Sequence, residues 1–277
     1  MITLINITPL NKFSILFYSL NHGNARNTAI KTIFLIILAV FALNKLNAQE
    51  EEIDASKPTN FYTMLDNTLE NTNSPGQNVM GYRGKIMYAP SEAHLILGEL
   101  PLLYNDRTNK FGVGDIRARY FYLPYKNYDK IFGAFGPSID VFAPTGSFEN
   151  GIGSGRWTIS PGITAGLMVA DWIQFFPIIS YQFASKPVYD NPPAELDNSS
   201  SGLTFQVLIP VVISDKFFIQ ITPIYRMNNL GDERQDRYVQ ELFAAYSISS
   251  KMQLTGFYNG NFSDDIHQVS VGLTIFL

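Results

Sequence analysis

The chain has 277 residues, with 20 Lys and Arg against 24 Asp and Glu, a net charge of −4 and no cysteine. This balance leaves no basic stripe for nucleic acid, and the missing thiols exclude disulfides, a cysteine nucleophile and thiolate metal sites. Phe and Tyr are abundant, at 21 and 15, but no segment reaches the roughly 20 consecutive apolar residues that a membrane helix needs.

The one apolar run, Ile33–Leu43, is too short to span a bilayer. Lys31 precedes it and Asn47-Ala48-Gln49 follows. A basic start, a short hydrophobic stretch and a small-residue cleavage site make a secretory signal peptide. Cleavage is expected after Ala48, and the Ala48-Gln49 junction resembles Bacteroidota signal peptides. Residues 1–48 are therefore read as an upstream segment plus a cleaved signal, with a start codon assigned too early or an extended signal accounting for residues 1–29. Residues 49–56 form a short acidic periplasmic N-terminus, and residues 57–277 form the folded body.

From there on, apolar residues recur at every second position, the period of a strand with one greasy face. The segment 57–65 (KPTNFYTML) reads as a weak first strand or, alternatively, as a plug. Strands follow at about 79–89, 94–104, 113–123 and 131–143. Next come faces built from Trp157, Ile159, Ile163, Leu167 and Val169, then from Ile173, Phe175, Ile179, Tyr181 and Phe183. Leu203, Phe205, Val207, Ile209 and Val211 make another, and Phe217, Ile219, Ile221 and Tyr225 the next. Leu242, Ala244, Tyr246 and Ile248 alternate, as do Met252, Leu254, Gly256 and Tyr258. The last ten residues, QVSVGLTIFL, set Val269, Val271, Leu273, Ile275 and Leu277 against Gln268, Ser270, Gly272 and Thr274.

Short links at about 90–93, 124–130, 170–171, 214–216 and 249–251 alternate with longer ones at about 66–78, 105–112, 144–156, 185–201, 228–237 and 262–266. The loops carry most of the charge. Lipid outside, water inside and alternating short and long connections describe an all-β transmembrane, antiparallel, up-and-down β-barrel. An even strand count with both termini periplasmic gives about 12 strands. Tyr82, Tyr88, Tyr104, Tyr120, Tyr122, Trp157, Trp172, Tyr181 and Tyr225 suit the lipid–water boundary. Pro101, Pro137, Pro161, Pro177, Pro210 and Pro223 fall inside strands, where each removes a ladder donor; bulges or strand ends are their expected places.

The inward register collects charge: Arg83, Lys85, Glu99, Asp115, Arg117, Arg119, Asp140, Arg226 and Glu241. An Arg near the bilayer midplane on the lipid face costs about 2–4 kcal/mol, so these groups belong in the lumen. They form either a selectivity ladder or a salt-bridged filling. Phe121, Phe176, Ile178, Phe243, Phe257 and Phe276 share that register and make the lumen partly apolar. Enzymatic chemistry finds little support. His267 lies near Ser263 in sequence, but only Asp264 or Asp265 could orient it as a triad requires. The acidic groups Asp232, Glu233, Asp236 and Asp264, Asp265 lack a recognisable calcium spacing. The two glycines of FGVGD open a strand and are no nucleotide fingerprint. No cofactor or metal is implied.

Two resemblances sharpen this reading. A terminal amphipathic strand such as Val269–Leu277 resembles the signal that the outer-membrane barrel-insertion machinery reads, with Leu277 where Phe is usual and Phe276 before it. The segments LGELPLLYNDRTNKFGVGDIRARYFY and FAPTGSFENGIGSGRWTISPGIT resemble the outer-membrane transporters of the MetA pathway of phenol degradation family. The matching motifs are Glu99-Leu100-Pro101, Gly112-Val113-Gly114-Asp115, Pro144-Thr145-Gly146 and Gly153 to Trp157, within residues 94–185. The resemblance implies a Gram-negative outer-membrane channel passing small hydrophobic or aromatic molecules, with outer-membrane lipid as its other partner. The alternatives are a closed anchor barrel that binds an envelope partner through the loop at 185–201 and, more remotely, an outer-membrane lipase using His267.

Overall fold

The computed structural model describes residues 53–192, 197–230 and 234–277. The signal-peptide reading of residues 1–48, the start of the acidic segment, and Asp232 and Glu233 lie outside the described residues. No helix among the described residues is long and apolar enough to cross a membrane.

Among the described residues, fourteen strands form one antiparallel sheet. They are β1 (Met64–Ser74), β2 (Gln77–Ser91), β3 (His94–Asn105), β4 (Lys110–Val113), β5 (Ile116–Tyr122), β6 (Tyr125–Lys126) and β7 (Phe132–Ala143). Then follow β8 (Thr158–Ala170), β9 (Ile173–Ala184), β10 (Ser200–Ser214), β11 (Phe217–Asn228), β12 (Gln235–Ser249), β13 (Met252–Asn261) and β14 (Ile266–Phe276). β4, β5 and β6 are pieces of one interrupted stave: β4 pairs with β3, β5 with β3 and β7, and β6 with β7. β14 returns to β1, from Met64↔Phe276 to Asn73↔His267. The sheet is thereby a closed 12-stranded barrel.

The pleat sorts the side chains as expected. On β14, Val269 and Val271 point outward at 56% and 58% exposure, while Ser270 and Thr274 are buried inside. Aromatic rings ring both rims: Tyr88, Tyr122, Tyr125, Trp172 and Tyr246 at the end that carries the termini, and Trp157, Tyr181, Tyr225 and Tyr238 at the other. At the terminus end the connections 92–93, 171–172, 215–216 and 250–251 are minimal. At the opposite end stand the longer loops 144–157, 185–199 and 229–234.

Two expectations are corrected. The first strand is Met64–Ser74, not 57–65, and the long link expected at 66–78 is a two-residue turn, Pro75-Gly76. Gly76 sits at φ +78, a conformation open to glycine without strain. The signal was weak because the outward face of β1 mixes Leu65 and Leu69 with Asn67, Asn71 and Asn73. The apolar residues of 57–65 instead belong to a strap at the barrel end. Phe61 packs edge-on against the inward Phe121, with centroids 5.3 Å apart, and joins Leu123 and Ala134 in a buried cluster. The second correction concerns proline. Pro177, Pro210 and Pro223 stand well inside β9, β10 and β11 rather than at strand ends, and the strand pairing lapses beside them.

Candidate functional site: the barrel lumen

The charged lumen residues come from neighbouring strands because adjacent inward positions are cross-strand partners. Lys85 pairs in register with Glu99 and Asp66, Glu99 with Arg117, and Arg119 with Asp140. Opposite charges set side by side then bond. Arg83 donates Nε to Glu70 at 2.7 Å and Nη1 to Glu99 at 2.5 Å. Arg117 reaches Glu99 at 3.7 Å and donates Nε to Asp140 at 2.9 Å. Arg119 donates Nε to the same Asp140 carboxylate at 2.8 Å, and Lys85 donates to Asp66 at 3.0 Å. Cations and carboxylates thus alternate from β1 to β7 in a continuous chain. Such sharing holds long side chains against the wall and offsets part of their desolvation cost.

Across the lumen, Glu241 on β12 accepts a hydrogen bond from Asn259 at 2.8 Å. Its carboxylate interacts electrostatically with Arg226 and also with Arg117 and Arg119, on a stave at the opposite side of the ring. Arg226 lies in register with Arg237, and Arg237 pairs with Asp264 at 3.1 Å. Among the described residues, Arg226 has no ion-pair partner of its own.

Asp115 takes a different place. It lies between β4 and β5, and its two oxygens accept the backbone N–H groups of Gly146 at 3.0 Å and Ser154 at 2.7 Å. It ties down the 144–157 loop, which folds against the inner wall. Asn105, fully buried, donates to the carbonyls of Asn150 and Gly151. The glycines of this region meet at backbone contact: a Cβ on Gly153 would lie 2.4 Å from the Gly146 carbonyl carbon, and one on Gly112 would lie 2.8 Å from Ile152. The GVGD, PTG and glycine-loop motifs are thus the two sides of one packed junction.

The lumen participants missed by sequence reading are Asp66, Glu70 and Gln268. Glu70 accepts both Arg83 and Gln268, the latter at 3.0 Å. The alternating Asp66, Thr68, Glu70 of β1 was a usable signal, hidden because its partner face carries asparagines.

The remaining wall is mixed inside, with apolar side chains beside the buried polar Thr164, Gln174 and Thr222. Phe176 is fully buried, Ile224 is 2% exposed, and Ile178 and Leu208 share their register. Phe243 lies beside Phe218 with ring centroids 5.8 Å apart, and its cross-strand partner is Phe257. At the terminus end, the strap is held by Tyr128, whose hydroxyl bonds Thr59 at 2.7 Å and Asn60 at 3.0 Å. Burial pushes that hydroxyl up to about 12. Asp54 in the same strap is destabilised by burial, but hydrogen bonds from Lys57 and Ser56 outweigh this and hold its carboxyl below the ordinary range.

A nucleophile site is not assembled at His267. Its Nδ1 bonds the Tyr258 hydroxyl at 2.9 Å and its Nε2 faces Asp265 at 3.2 Å, while the Ser263 hydroxyl accepts the Tyr238 N–H.

No family model matches the chain, and no curated relative does. Solved structures do match in fold. The COG4313 outer membrane channel from Pseudomonas putida F1 superposes with a TM-score of 0.57 at 11% identity, over 84% of this chain and 100% of that one. The NanC porin gives 0.56 at 9% identity, over 77% and 100%. A KdgM porin in complex with disordered oligogalacturonate gives 0.51 at 11% identity, over 76% and 98%. The fold is that of outer-membrane porins and channels. The barrel resembles Gram-negative outer-membrane proteins, and its solute class is a separate question.

Proposed function

We propose that this protein is an outer-membrane diffusion channel for small hydrophobic or aromatic solutes, with both termini in the periplasm. The observation that carries the reading is the two-sided lumen. A charged ladder from Asp66 to Asp140 faces a wall of Phe176, Ile178, Leu208 and Ile224. Arg83, Lys85, Glu99, Arg117, Arg119 and Asp140 narrow the passage and fix its charge, with Glu241 and Arg226 opposite. The apolar side chains of that wall offer an aromatic solute an uncharged surface, beside the buried polar Thr164 and Gln174. Asp115 serves by setting the inward loop. Transport needs no energy source in this scheme. The motifs that resemble those of the MetA phenol-degradation family support the reading, and β14 serves insertion.

Planar-bilayer recording of the refolded barrel tests it. Discrete conductance that small aromatic compounds reduce is expected, and Arg117→Gln with Arg119→Gln should shift the reversal potential in a salt gradient. A folded barrel that never conducts, or a double variant with unchanged selectivity, would overturn the assignment of the ladder.

A further inference from the structure

Among the described residues, the inward cations Arg83, Lys85, Arg117, Arg119 and Arg237 each have a carboxylate within ion-pair distance. Half-buried Arg226 has neither an ion pair nor a hydrogen bond among them. Glu241 acts on it only at a distance. That residue stands opposite Thr222, two inward steps from the Arg226 row, or about 13 Å of strand. One of its oxygens already accepts from Asn259 at 2.8 Å. Ile224 and Val239, at 2% and 1% exposure, fill the row between. The cross-strand partner of Arg226 is a second cation, Arg237, so the row keeps a positive excess after Asp264 has matched Arg237. A guanidinium held away from bulk water without a counter-charge is costly, and its planar fork is shaped for a carboxylate.

The other neighbours of Arg226 are small and hydroxylic. Thr204 is its partner on β10, and Ser180 is the partner of Thr204 on β9. Both face the lumen, because Phe205 and Tyr181 beside them face lipid at 40% and 45% exposure. Neither hydroxyl has a hydrogen-bond partner among the described residues, and neither side chain is fully buried. Gly162 continues the row on β8, so no large side chain crowds it from that side. Toward the termini the same staves change character. Ile178 follows Ser180 on the inward face, and Leu208 follows Thr204 beyond Gln206. Both apolar side chains are partly exposed. A charged and hydroxylic row thus borders an apolar surface about 7–13 Å along the strands, the length of a small amphiphile.

We infer that Arg226, with the hydroxyls of Thr204 and Ser180, binds the carboxylate of an amphipathic solute whose apolar body lies along Ile178 and Leu208. The inference rests on the proposed channel reading and narrows its solute class to aromatic or aliphatic acids. The guanidinium offers two parallel N–H donors and each hydroxyl one more, a set that a carboxylate satisfies and an apolar or neutral head does not. The ladder from β1 to β7 offers no such place, because its own carboxylates already engage its guanidinium groups.

Planar-bilayer recording of the refolded protein tests the site, with 3-phenylpropanoate and its neutral amide, 3-phenylpropanamide, as probes. The acid is expected to block the wild type at about tenfold lower concentration than the amide. Arg226→Gln should weaken block by the acid alone and bring the two to within about twofold, while Arg226→Lys should keep part of the preference. A preference that survives Arg226→Gln overturns the site. Equal block of the wild type by acid and amide overturns it too, and leaves the proposed function standing. Thr204→Val, which keeps the shape of the side chain, is the second variant and decides the matter should Arg226→Gln fail to insert. Block by the acid several-fold weaker in that variant supports the site, and unchanged block overturns it. Equilibrium dialysis of radiolabelled 3-phenylpropanoate against detergent-solubilised protein separates the site from the channel. A barrel that is silent in bilayers yet binds the acid, with binding lost in Arg226→Gln, keeps the site and overturns the channel.

Discussion

The wall from β1 to β7 and the wall from β8 to β11 are made of the same strand geometry and are stabilised in opposite ways. The first pairs without a gap between β1 and β2, from Met64↔Met87 to Ser74↔Gln77, is interrupted at the stave made of β4, β5 and β6, and carries a chain of shared carboxylates on its inner face. The second carries Pro161, Pro177, Pro210 and Pro223, lapses in pairing beside them, and an interior that is mostly uncharged, mixing Phe176 and Ile224 with Thr164, Gln174 and Thr222. Charge in the lumen needs rigid neighbours, because an ion whose partner moves away is left desolvated and unpaired. A mostly uncharged interior has less need of this and can tolerate a yielding wall. In the proposed channel the contrast divides the wall between a stiff charged face and a compliant one.

The largest expected effect lies on the stiff side. Glu99, with its side chain only 5% exposed, serves Arg83 and Arg117 together. Glu99→Ala strips both and should cost about 3–5 kcal/mol, the scale for breaking a buried pair, read as a lower unfolding midpoint in urea. A change under about 1 kcal/mol would show that lumen water compensates these ions and would erase the contrast. Next, Asp140→Asn frees Arg117 and Arg119 without changing side-chain volume. The reversal potential should move toward anion selectivity. On the compliant side, Pro223→Ala returns a ladder donor and should raise stability by about 0.5–1.5 kcal/mol, the net worth of one hydrogen bond; a loss instead would mean that the proline ring packs better than the bond it displaces.

The smallest effect is at the strap. The Tyr128 hydroxyl is raised from 10.0 to about 12 by burial. A raised acid is stabilising while it stays protonated, so its contribution is complete below pH 10 and is lost as pH rises through 12. Ultraviolet titration should show a late-ionising tyrosine contribution that Tyr128→Phe removes. Asp54, held low, has the reverse dependence: its contribution is present above its ordinary value of 3.8 and falls away in more acid solution.

How much of this was legible depends on how strictly each segment alternates. β14 carries Val269, Val271 and Leu273 against Ser270, Gly272 and Thr274, and its place was clear from period alone. β1 alternates leucine and asparagine outward, so the greasier strap at 57–65 drew the assignment away. The charge ladder was readable because strand parity decides the face, and Arg83, Glu99, Arg117 and Asp140 meet as that parity requires. Asp115 has the right parity and the wrong height, and height depends on loop folding that period cannot report. The prolines stood out in the sequence, but that Pro177 and Pro223 flank Val207 needs the register of the strand pairs.

The seam between β1 and β14 has a consequence for assembly. Gln268 reaches Glu70 across 198 residues of sequence, and Thr274 reaches Asp66 across 208. Contacts so distant along the chain carry a large loop-closure entropy and form late. Until they do, the first and last strands are open edges able to pair with any other strand. The final zipping step therefore completes both the hydrogen-bonded ring and the coordination of Glu70, so a barrel stalled before closure would expose sticky margins and an incompletely satisfied carboxylate at the same moment.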